Sequence, residues 1–353
     1  MEVIYEKDLD FIRPIECIYQ YKNAFILYTM QSGKLWKWSH KTKKYIEIAD
    51  MEEEYQTWLF VTCIEVDEVL YFVPYLAKYM IEYHLKTGKI DRVFLRSNPT
   101  EVMYHKAVHY NGRIFLFPVI GDEILIYEIA NKKKTIWKAG LIDGRRNNAF
   151  ILSVYIKNHK AWGVTGKDSK VYCYDLDQVQ ANIFEVAEQN SLFIDITSEK
   201  KEMFILTDDG VVLVWDMQDK IERIASCFDE KIHEPYFAIH YSLGLLWLIP
   251  KNVNCVRAIN LQGEMIEEWD FSNLRTKNGL LFEGVVQQGD MLFLCSYSRE
   301  GLVIIDTKKH SVEIKYMQFD LAQKIDILWN LNDGSLNRSR MIGTHIWKEL
   351  KRV

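Results

Sequence analysis

Cysteine is scarce and scattered. The six thiols, at Cys17, Cys63, Cys173, Cys227, Cys255 and Cys295, include no C-x-x-C pair, so the usual zinc spacings are excluded. Lying mostly in apolar runs, they read as reduced, structural thiols of a cytoplasmic protein. There is no long apolar stretch, so no membrane span is expected, and the opening MEVIYEKDLDFIRP lacks the apolar run of a signal peptide. There is no excess of positive charge either. A net charge of −5 and a pI near 6.0 give no global field that would draw the chain to nucleic acid. No Gly-rich phosphate loop and no nucleophile elbow occurs. No cofactor and no metal is expected.

What the chain does have is apolar surface, with 48% hydrophobic and 13% aromatic residues in 353. That is ample for a packed core and excludes a disordered chain. The enrichment in Lys, Ile, Tyr and Phe suits a low-GC bacterial source.

The apolar residues are periodic. Seven times a short strand reaches Thr29, Pro74, Pro118, Thr165, Thr207, Pro250 or Ser296 and turns into a second strand, at separations of 45, 44, 47, 42, 43 and 46 residues. Three positions before each marker stands Ile26, Tyr71, Phe115, Trp162, Phe204, Trp247 or Phe293. Eight or nine positions after it stands Trp38, Tyr83, Tyr127, Tyr174, Trp215 or Ile305, with Ala258 or Ile259 in the sixth copy. A period in the forties built from strands predicts an all-β, seven-bladed β-propeller of four-stranded antiparallel blades. The repeats fall at about 17–49, 60–97, 104–140, 149–189, 192–227, 236–270 and 281–318, within a single domain. Residues 319–353 are read as a closing strand (KIDILWNL) and a short tail or helix, and EVIYE at 2–6 is a second candidate for closing the ring. The markers have a structural meaning. Proline cannot donate to a ladder and belongs at a strand end, while Thr and Ser bond locally to turn backbone.

VLVWDM at 212–217 and VYCYDL at 171–176 resemble the ends of WD-repeats, and the chain resembles the propeller superfamily of WD-repeat-like and quinoprotein-like repeats over residues 17 to about 318. The Gly-His pair of WD-repeats and the double glycine of kelch repeats are missing, so the resemblance implies the fold and no named family.

In such a fold the loops between blades and the turns after the markers share one face, the usual ligand side. Five of the inter-blade segments are long. GLIDGRRNNA at 140–149 stands out: Arg145 and Arg146 suit a carboxylate, phosphate or sulfate, and Asn147 and Asn148 suit neighbouring hydroxyls or amides. In CFDEKIHEPY, His233 with Asp229 or Glu234 is the candidate for acid–base work. His105 and His109, four apart on one strand, share a face but stand too far apart for an easy shared metal. Three functions follow. The leading one is a binding scaffold recognising a partner protein or a polar ligand on the loop-bearing face. The second is a lyase or hydrolase acting on a polar or anionic substrate at the channel mouth. The third is a carbohydrate binder that stacks sugars on Tyr55, Trp58, Tyr104, Tyr236 and Trp269.

Overall fold

The computed structural model describes residues 17–28, 34–50, 59–95, 104–119, 121, 123–141, 151–186, 191–217, 221–226, 232–274, 281–296 and 301–316. Twenty-eight strands form seven four-stranded antiparallel sheets, each a simple meander in which consecutive strands pair. The fold is a seven-bladed β-propeller. The blades span residues 17–50, 60–94, 104–138, 153–185, 193–226, 236–270 and 282–316, and no α-helix occurs among the described residues. The proposed closing strands, the C-terminal tail, Arg145 to Asn148, Asp229, Tyr55 and Trp58 lie outside the described residues.

The markers behave as strand ends. Pro74, Pro118 and Pro250 terminate the second strands of blades 2, 3 and 6, where a missing donor is tolerated. In blade 5 the Thr207 hydroxyl donates to the Val211 carbonyl and accepts from the Val211 amide, both at 3.0 Å, closing the turn. Hairpin turns use left-handed backbone: Asn111 and Gly112 have φ of 48° and 68° between the first two strands of blade 3. Positive φ at both central residues matches the right-handed twist of the flanking strands.

The chain divides into two compact units. One holds blades 1 and 7 and most of blade 2. There Ile18, Phe25 and Trp38 of blade 1 pack with Phe293, Leu302 and Ile304 of blade 7. The innermost strands are laced by Gln288, whose side chain accepts from the Gln20 amide at 3.0 Å and donates to the Gln20 carbonyl at 2.8 Å. Lys315 of blade 7 lies over the Phe25 ring at 5.6 Å. On its other side blade 1 packs Ile26 and Tyr28 against Phe72, Ile81 and Tyr83 of blade 2.

The second unit holds blades 3 to 6 and residues 64–67. Its layers explain the two aromatic columns of the sequence. The residue three before each marker faces the following blade, and the residue eight or nine after it faces the preceding one. Phe115 meets Tyr174 in the layer between blades 3 and 4, Trp162 meets Trp215 between blades 4 and 5, and Phe204 lies between blades 5 and 6. The Trp162 and Trp215 rings stand edge-on at 5.9 Å. All six recurrent aromatics are at most 6% exposed, which places them in the core as the periodicity predicts.

Candidate functional site

The first strand of a blade enters from an inter-blade loop, and in several blades it enters with a bulge. Pairing with the second strand shifts at Phe117/Pro118 in blade 3, at Phe193/Asp195 in blade 5, at Tyr236/Ala238 in blade 6 and at Phe282/Gly284 in blade 7. A bulge leaves one residue without a ladder partner and re-aims its neighbours. It also corrects the reading of His105 and His109 as residues of one face. His105 is the bulged residue, left out of the ladder register and partly buried, while His109 is paired with Ile114 and exposed. Burial, and then the charge of Lys106, pull the His105 pKa down to about 3.

Just beyond the bulge lies a tier of equivalent positions, each twelve residues before its marker. In register it holds Cys17, Ala238 and Gly284 in blades 1, 6 and 7, paired with Tyr28, Ile249 and Cys295. In the consecutive blades 3, 4 and 5 it holds Lys106, Ser153 and Asp195, paired with Phe117, Val164 and Leu206. Thr62 has the same offset in blade 2. The tier's two charged residues therefore flank a hydroxyl, on strands that begin at the loop-bearing end.

Asp195 is 7% exposed and ties three blades together. It accepts a hydrogen bond from the Ser153 hydroxyl of blade 4, from the Ile239 amide of blade 6 at 2.7 Å and from the adjacent Ile196 amide at 2.8 Å. Charge-assisted bonds of this kind are about twice as strong as neutral ones. Lys106 is different. Its side chain is partly buried. That desolvation pulls its pKa below the usual lysine range, against the opposing pull of the Asp195 carboxylate. Lys106 is thus a desolvated cation that feels Asp195 through space, while Asp195 spends its oxygens on Ser153 and backbone amides.

The loop-bearing end around this tier is pinned turn to loop. The marker turn of blade 4 carries Asp168, which accepts from Thr165 Oγ1 at 2.9 Å and from the Tyr172 hydroxyl at 2.7 Å; the Asp168 carbonyl accepts from the Phe193 amide at 3.0 Å, at the entry to blade 5. Burial, and then the bond to Asp168, push the Tyr172 pKa upward. The turn of blade 5 repeats the device. Asp208 accepts from the Leu192 amide at 2.8 Å through its side chain and from the Glu234 amide at 2.6 Å through its carbonyl.

His233 is exposed, and its carbonyl accepts from Asn252 Nδ2 at 2.8 Å. Glu234 is partly buried, with its carboxylate held in an ion pair by Lys251. So the structure commits Glu234 to a lysine and shows no bond joining it to the His233 ring. Two of the aromatics read as exposed sugar platforms are not exposed: Tyr104 and Tyr236 are 4% and 0% accessible. Each opens the first strand of its blade, where the entering chain is drawn into the layer between blades, as Tyr236 is beside Leu206 and Leu248. Trp269 stacks on Trp247 at 5.1 Å with planes 14° apart. None of the five described cysteines forms a disulfide, and burial pushes the Cys173 thiol up to about 11. Among the described residues no helix is long and apolar enough to cross a membrane.

Fold and tier together define a seven-bladed propeller whose inner strands carry one polar sector. No family model matches the chain, and no curated protein matches it in sequence. Solved structures do superpose on it. A streptogramin B lyase aligns with a TM-score of 0.65 at 12% identity, over 86% of this chain and 95% of that one. Virginiamycin B lyase from Staphylococcus aureus aligns with a TM-score of 0.63 at 11% identity, over 81% of this chain and 92% of that one. PorZ, a surface component of the type-IX secretion system of Porphyromonas gingivalis, aligns with a TM-score of 0.60 at 10% identity, over 88% of this chain and 39% of that one. Likeness at these identities is likeness of fold.

Proposed function

We propose that this protein is a binding scaffold that takes a polar ligand, or a polar segment of a partner protein, at the loop-bearing end of the inner strands. The observation that supports it most is Lys106, a desolvated cation that feels the Asp195 charge in a tier where blades 1, 6 and 7 carry Cys, Ala and Gly and blades 2 and 4 carry Thr and Ser. A purely structural tier has no need of a buried ammonium, because burying a charge is expensive unless something compensates it. An anionic group supplies that compensation. In this reading Lys106 is the cation, and Ser153, its proton donated to Asp195, leaves an oxygen that accepts from an N–H or O–H of the ligand. The loop that enters blade 4 carries Arg145, Arg146, Asn147 and Asn148 within eight residues of Ser153, and in the proposal these extend the anion site outward. The whole chain acts as one domain of a cytoplasmic protein.

A lyase or hydrolase reading has less support, since Glu234 is occupied by Lys251. Lys106→Met is the test. Thermal-shift titrations with inorganic phosphate, sulfate and succinate should raise the melting temperature of the wild-type chain and leave the variant unmoved. Equal shifts for both proteins would show that anions bind elsewhere and would remove the proposal.

A further inference from the structure

A second cluster lies on blade 2, apart from the tier. In the ladder between the third strand (Tyr79–His84) and the outer strand (Ile90–Phe94), Glu82 pairs directly with Asp91. Paired residues project to the same side, and residues two apart on a strand share that side, so Glu82, His84 and Asp91 gather on one face. The opposite face, with Ile81 and Tyr83, packs against blade 1. One donor atom from each of the three lies within 4.8 Å of the other two, and His84 Nε2 stands 3.2 Å from Asp91 Oδ2.

We propose that Glu82, His84 and Asp91 form a binding site for a divalent transition metal, with Zn²⁺ as its best-matched ion. Two carboxylates facing each other across a strand pair repel, and Glu82 is only 4% exposed. A cation held among the three donor groups offsets that repulsion. One imidazole nitrogen and two carboxylate oxygens make a borderline donor set, suited to Zn²⁺ or Mn²⁺ better than to Mg²⁺ or Ca²⁺, which favour all-oxygen shells. Ligands about 2.1 Å from a tetrahedral ion lie about 3.4 Å apart, a spacing His84 and Asp91 already have. Glu82 places its carboxylate oxygen in the same group of three donor atoms. The side chains of His84 and Asp91 are 34% and 28% exposed, so an ion can enter from solvent. Three protein ligands leave a position for water.

Lys89 is the built-in competitor. From the turn between the two strands its ammonium reaches Asp91 Oδ2 at 2.8 Å, and its side chain is 64% exposed. A metal displaces it into water at small cost, since exposed ion pairs contribute little. Removing Lys89 should therefore tighten metal binding, an effect that a cluster of ordinary salt bridges does not predict.

The experiment is calorimetric titration of the full chain with Zn²⁺, Mn²⁺ and Mg²⁺ after removal of metal with a chelator, with circular dichroism to confirm that each variant is folded. One equivalent of Zn²⁺ should bind, more tightly than Mg²⁺. Glu82→Gln and His84→Ala should each weaken it about tenfold or more, and Lys89→Ala should strengthen it severalfold. Co²⁺ should give a visible absorption band that His84→Ala abolishes, which separates this site from adventitious binding at the cysteines. Absence of stoichiometric Zn²⁺ binding, equal binding of Mg²⁺, or binding unchanged in both folded ligand variants would overturn the proposal.

Discussion

Replacing Asp195 by alanine tests the central claim about the tier. The carboxylate accepts from two backbone amides, Ile239 at 2.7 Å and Ile196 at 2.8 Å, and from the Ser153 hydroxyl. Ile239 is 1% exposed, so its amide has no water to turn to once the carboxylate is gone. A buried donor left unsatisfied costs about 1–3 kcal/mol. Two such amides give about 2–6 kcal/mol, offset by removing a buried charge from its desolvated place. The expected net loss is about 1–5 kcal/mol, reaching at its upper end the cost of deleting one partner of a buried charged network. Asn keeps one acceptor oxygen and turns its amide toward Ser153, so Asp195→Asn should cost about half as much. Urea titrations of the three proteins, followed by tryptophan fluorescence, give the midpoints that rank them. A loss below about 1 kcal/mol for Asp195→Ala would mean that Asp195 does not hold blades 4, 5 and 6 together. The double variant Asp195→Ala with Lys106→Met adds a sharper measurement. If Lys106 depends on the Asp195 charge, removing both costs less than the sum of the single losses, by about 0.5–3 kcal/mol.

Trp162→Ala, which empties the layer it shares with Trp215, should cost about 3–5 kcal/mol by the same denaturation assay. Gly210→Ala should cost more than Gly112→Ala: both have positive φ, but a Cβ at Gly210 would stand 2.5 Å from Pro235 Cγ, whereas at Gly112 it meets nothing within 4 Å. The His105 pKa in the folded chain, about 3, lies below the ordinary 6.5, so the unfolded chain binds the extra proton between those values. Its contribution is therefore fully present above about pH 6.5 and is lost as pH falls toward 3, at up to about 1.4 kcal/mol per pH unit. Midpoints measured from pH 7 to pH 4 should fall less steeply for His105→Gln than for the wild-type chain. Gln288→Ala, which unlaces blade 7 from blade 1, should lower the melting temperature and speed amide hydrogen exchange in residues 17–21 before that of the second unit.

The fold was legible because burial repeats. A layer between two blades demands an aromatic or branched residue at fixed offsets from the marker, and that demand writes Phe115, Trp162 and Phe204 into the sequence at nearly constant spacing. The tier was not read, although its offset of twelve residues is as regular as the aromatic one. Its residues differ in type from blade to blade, so there was no recurring letter to notice. The bulges also hid it, because a strand assumed to alternate gives His105 and Lys106 the wrong neighbours. The pairing of Glu234 with Lys251 is not legible in the sequence, because the two residues stand seventeen apart in the chain and meet only through the fold. Tyr104 and Tyr236 were misplaced for a related reason. They stand at the edge of a loop in the sequence, yet the strand that follows pulls them inward.

A repeat protein offers its own control for separating structure from function. What every blade needs appears at equivalent positions in every blade, as the buried aromatics do. A residue that departs from its equivalents answers to something other than the repeat. Cys17, Ala238 and Gly284 show what this tier requires for packing alone: a small side chain that fits beside the neighbouring strand. Lys106 and Asp195 break that rule two blades apart, with Ser153 between them, and the break carries a desolvation cost that packing does not repay. Asp195 answers its cost within the protein, through Ser153 and two amides. Lys106 feels the Asp195 charge through space, against its own desolvation. In the proposed function, that difference makes the lysine, and not the more elaborately bonded aspartate, the residue expected to meet a ligand.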